Sequence, residues 1–262
     1  MTKILALDQD FLSIKTDYQC FIDEIVHIYF DGNYNKNQLN QKVFGRVIYT
    51  SLDKTVIHIF DSINQPLSSI KLYWTNSKLT INLSPTILGR SLDAFGNPID
   101  LLDPIPAIKQ GFFENKPNHN STQNKTKQQS SKTDLRRYIS SLTQDNLGLI
   151  VVGNHNSTRN RLLDTSFLGD ISVNFECDND SYQWIVAMEL AWVVAQFVAV
   201  EFDFEVKIIV DGYSKYITTI NRLNNRISQL PEFGNSLSCV IPYTYHDISH
   251  QKSNPKVEII AF

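Results

Sequence analysis

The stretch "LIVVGNHNSTRNRLL", Leu149–Leu163, runs four apolar residues of high strand preference into Gly153 and, after a polar turn, reads as the start of a helix. This strand, glycine, loop, helix layout is that of a phosphate-binding loop written with other letters. The same alternation continues downstream through "DISVNFE", the apolar run from Trp184 to Val200, "FEVKIIVDG" and "KYITTINRLNNRISQL". Strands alternating with helices predict a parallel sheet from Gly148 onward.

Upstream the pattern differs. Between residues 20 and 90 the chain gives short strands at intervals of about ten residues: "EIVHIYF" before "DGN", then "VFGRVIYTS", "TVIHIFDS", "IKLYWT" and "LTINLS". Such spacing predicts a small all-β barrel or sandwich. The intervening segment from Ile108 to Arg137 is poor in apolar residues, and its Lys and Arg outnumber Glu114 and Asp134. Its composition predicts a disordered insertion at about 108–137.

A chain of 262 residues with 42% hydrophobic residues suffices for one large core or two modest ones. Its net charge of −3 gives no general attraction for nucleic acid or for an anionic membrane. Cys20, Cys177 and Cys239 are scattered, match no metal spacing with His119, His155, His246 or His250, and form no disulfide framework. A reducing, intracellular compartment is the expectation, since "MTKILALDQDF" has no apolar signal core. Richness in Asn, Lys and Ile suits an AT-rich genome, such as that of an organelle or a reduced bacterium. The run from Trp184 to Val200 contains Glu189 and Gln196 and is short for a spanning helix, so it reads as a buried helix.

The densest motif is "LGRSLDAFGNPID", Leu88–Asp100, in which Gly96-Asn97-Pro98 marks a tight turn after a strand end. It resembles the junction between β-barrel and nucleotide-binding domain in the catalytic-ring subunits of rotary ATP synthases and ATPases. The wording "IIVDGYSK" from Ile208 is more similar to the non-catalytic α subunit than to the catalytic β subunit. The resemblance implies a β-barrel-like domain over residues 1–90 and a RecA-like, P-loop NTPase-like domain over residues 91–262 with a reduced parallel sheet. It also places Gly153 at the first glycine of the family's phosphate loop, Thr158 at the second, Arg159 at the lysine and Asn160 at the magnesium-binding hydroxyl. Only the first position keeps its residue, and Arg159 retains a charge without the compact ammonium.

By the same resemblance Asp211 falls where an aspartate orders Mg²⁺ through water, and Glu176 where catalytic members orient attacking water. Their plain alternatives are a turn or helix-cap residue and an exposed strand-end carboxylate. From Glu176 to Asp211 the chain is too short for the strand–helix unit the family inserts there, so one strand is expected to be missing. The chain also stops at "KVEIIAF", before the family's arginine finger and C-terminal helical domain.

The helix from Gln183 to Glu201 has a narrow polar stripe, with Trp184, Met188, Trp192 and Phe197 among the residues wrapping the rest. It predicts either a rebuilt core or an interface. Together these readings imply a catalytically inactive α-like subunit, a structural or assembly component of a larger membrane-associated complex. The expected partners are protein subunits, with no nucleic acid and no direct membrane span. The expected location is the bacterial cytoplasm or an organelle interior, peripheral to a membrane complex. No cofactor is expected, although nucleotide held without hydrolysis stays open, and the alternative from the enzyme class is a divergent ATPase of an export or motility machine.

Overall fold

The computed structural model describes residues 2–8, 10–30, 43–61, 63, 66–112, 127–128, 147–154, 172–177, 182–231 and 257–261. It divides into two compact units, Met1–Leu79 and Thr80–Phe262: a small β domain and an α/β domain.

The first unit holds β1 (Lys3–Asp8), β2 (Phe11–Lys15), β3 (Glu24–Phe30), β4 (Val43–Thr50), β5 (Thr55–Ile59) and β6 (Ile70–Lys78). They form one sheet in the order β1-β2-β5-β4-β3-β6, every neighbouring pair antiparallel. Alternate residues of the inner strands, among them Leu12, Ile14, Val26, Ile28, Val47 and Ile57, are fully buried and make one core cluster. Glu24 is buried as well, and its carboxylate accepts from the Tyr18 hydroxyl (3.1 Å) and the Asn76 N–H (2.9 Å), tying together two turns.

The second unit begins with β7 (Thr80–Leu83), which pairs antiparallel with β9 (Lys109–Phe112). β7 is therefore a partner of the downstream chain, although "LTINLS" follows the rhythm of the strands before it. Within the segment read as an insertion, Lys109–Phe112 is this ordered strand and Lys127–Gln128 forms β10; apart from the exposed Ile108, the remainder lies outside the described residues. The parallel sheet comprises β8 (Ser91–Asp93), β10, β11 (Leu147–Asn154), β12 (Ser172–Cys177), β13 (Glu205–Val210) and β14 (Val257–Ala261), in the order β10-β14-β13-β11-β12-β8. β11 lies between β12 and β13, and Leu147–Gly153 is buried along its whole length. Burial on both faces explains why this strand reads as a continuous apolar run rather than an alternation.

Two helices follow the sheet strands, α1 (Gln183–Glu201) after β12 and α2 (Tyr213–Ser228) after β13. α2 buries Tyr216, Thr219, Ile220, Leu223 and Ile227, the one-sided spacing of a helix lying on a core. α1 packs on β11, β13 and β12, beside α2, and its far side is met by β7 and β9. Gly111 of β9 permits that last approach: a Cβ there would run into Val193 of α1 and come within 2.6 Å of Leu83 Cδ1.

Gly96 has φ +82, and a Cβ on it would sit 3.0 Å from Ile81 and 3.3 Å from Leu190. Backbone conformation and packing thus both select glycine. Gly96→Val is expected to lower stability by about 1 kcal/mol or more, from the left-handed backbone alone. Urea unfolding of the two proteins measures it, and equal midpoints would refute the argument.

Candidate functional site

The Leu88–Asp100 motif folds as a compact hairpin on the edge of the parallel sheet. β8 lies parallel to β12, with Ser91 opposite Asn174 and Asp93 opposite Glu176. Two further backbone bonds hold its approach, Gly89 N–H to Ser172 O (2.8 Å) and Asn174 N–H to Arg90 O (2.9 Å). After β8 the chain turns back, with Leu92 bridging Pro98 and the Ile99 N–H donating to Ser91 O. The Asp93 carboxylate organises the turn: Oδ1 accepts from the N–H groups of Phe95 (2.9 Å) and Asn97 (2.8 Å), and Oδ2 from Asn97 Nδ2 (2.9 Å). Aspartate at the head of a turn does this because its short side chain reaches backbone donors two and four residues on.

The hairpin's base is closed by an ion pair. Arg90 Nε donates to Asp100 Oδ2 at 2.6 Å, and Arg90 Nη2 donates both to Asp100 Oδ1 and to Asp103 O at 2.9 Å. The Ser91 and Leu102 N–H groups add donors to the same carboxylate, at 3.0 and 3.2 Å. Both side chains are mostly buried. The two-point Arg90 bond, helped by these backbone donors and opposed by burial, holds the Asp100 carboxyl down at about 2. Just beyond, Leu101 takes φ +61 while almost wholly exposed, a left-handed leucine held between pinned neighbours.

Glu176, Gly153 and Asp211 lie at the carboxyl ends of the three central strands, with Glu176 and Asp211 on either side of β11. Gly153 is in register with Glu176, Asn154 with Cys177, and the Asp211 N–H donates to Val152 O (2.9 Å). Asn154 Nδ2 donates to Cys177 O at 3.1 Å and ties the two strand ends together. Asp211 is buried and Glu176 half-buried. Gly212 caps α2, so Asp211 stands one position before the helix rather than at its cap. In open α/β sheets, ligands bind beyond the carboxyl ends of strands, beside the strand from which the order runs both ways; here that strand is β11. Thr158, Arg159 and Asn160 lie outside the described residues, and no group of three His, Cys, Asp or Glu side chains able to hold a metal gathers among the described ones.

No family model matches this chain, and neither does any curated protein. Its chemistry rests on the geometry above.

α1 is long and apolar enough by composition to cross a membrane, but most of it is buried within the protein. Trp184, Met188 and Trp192, candidates for an interface, are at most 3% exposed, enclosed by the sheet, α2 and the β7–β9 pair. They are core residues because a helix apolar on nearly every side needs cover on every side. Phe197 is half-buried, its ring 6.5 Å from Phe202, and Gln196 and Val200 are exposed, so the helix emerges over its last two turns. Asn154 and the Arg90–Asp100 pair are absent from the sequence-based candidates. The ten-residue interval between Arg90 and Asp100 carries no periodic signal; only the intervening turn, which brings the strand back on itself, hints at their meeting.

Two measurements test these assignments. Trp192→Ala is expected to lower unfolding free energy by about 3–5 kcal/mol, as for a buried Trp; a change in self-association or complex formation at unchanged stability would restore the interface reading. Asp100 is depressed in the folded state from 3.8 to about 2. Its contribution is therefore complete above about pH 4 and is lost as the pH falls towards 2. Asp100→Asn is expected to lower stability by about 2 kcal/mol at neutral pH, with the gap from the parent closing across that acid window. A gap that stays constant with pH would show that charge is not what holds the turn.

Proposed function

We propose that the protein is a catalytically inactive relative of the rotary-ATPase α subunit, a structural or assembly component of a larger membrane-associated complex. On this reading the first unit corresponds to the family's β-barrel and the second to a reduced RecA-like domain. The observation that carries it is the Leu88–Asp100 motif, in which Arg90, Asp93, Asn97 and Asp100 all serve the turn itself and Gly96 is required by its backbone. A stretch whose matching letters are all architectural supports kinship of fold, and carries no argument for turnover. The loss of the lysine and hydroxyl at Arg159 and Asn160 supports inactivity, because those groups grip the β- and γ-phosphates and the metal.

A second reading, nucleotide held without hydrolysis, is favoured by the position of Gly153, Glu176 and Asp211 at the carboxyl ends of the three central strands. A divergent export or motility ATPase would need the same edge to turn over.

Purified protein is expected to show no magnesium-dependent ATP hydrolysis above background. A rate abolished by Arg159→Ala would overturn the inactive reading. Equilibrium binding of ATP, with and without Mg²⁺, separates the pure scaffold from the nucleotide-holding subunit. Native purification is expected to bring down ring-ATPase-like subunits, and a protein recovered alone from its own extract would count against the subunit reading.

A further inference from the structure

We draw no further inference here: the strongest candidate, the exposed apolar surface patch formed by Leu101 and Leu102 just beyond the Arg90–Asp100 ion pair, carries nothing because nothing in the structure shows what covers it.

Discussion

A helix with almost no polar face dictates the architecture of the second unit. Glu189 and Gln196 are the polar interruptions within α1, and even Glu189 is buried. A surface helix buries one stripe and needs one neighbour; this one needs a surround. The sheet supplies one side and α2 another. The last side is closed by the β7–β9 pair, which comes close enough because Gly111 has no side chain. Removing any of these walls would expose residues worth about 1.5–3 kcal/mol each in transfer free energy. The β7–β9 pair is thus better understood as a lid on the helix than as a sheet in its own right.

The hairpin at the sheet's edge follows another logic, one of polar satisfaction. β8 is three residues long, too short to be specified by apolar pattern, and it is held by main-chain bonds to β12 and by two carboxylates that collect backbone donors. Asp93 fixes the tip and Asp100 the base, with Arg90 neutralising the buried charge at the base. The short strand with Pro98 in its returning arm also makes this edge of the sheet a poor template for further pairing.

Much of this was legible in the letters. β3, β4, β5 and β6 carry alternating or β-branched runs between turn residues, and β11, β13 and α1 are apolar enough to be placed by pattern. What escaped has physical reasons. β1 and β2 stand in an N-terminal stretch whose short apolar runs are broken by Lys and Asp, so the strand signal is weak. β7 has the right pattern in the wrong company: periodicity reports that a strand exists and says nothing of its partner, and β9 lies in a stretch whose composition reads as linker. At the carboxyl edge, the position of Gly153, Glu176 and Asp211 could be expected from strand ends alone. The Asn154 bond and the Arg90–Asp100 closure depend on register and on a turn's exact path, neither of which is encoded in composition.

The pairing of Ser91 with Asn174 also bears on the order in which the second unit is made. β8 leaves the ribosome long before β12, and until then its polar hairpin has no sheet to join. Loop closure over so long an interval is entropically unfavourable and comes late in folding, after β11 and β12 have found each other. The edge strand is in effect a latch, and its Asx turn and Arg90 clasp can form locally before β12 is there to receive it. A nascent chain halted before β12 would have this hairpin preformed and undocked, with Ile81 and Leu83 of the neighbouring β7 still waiting for α1 to cover them.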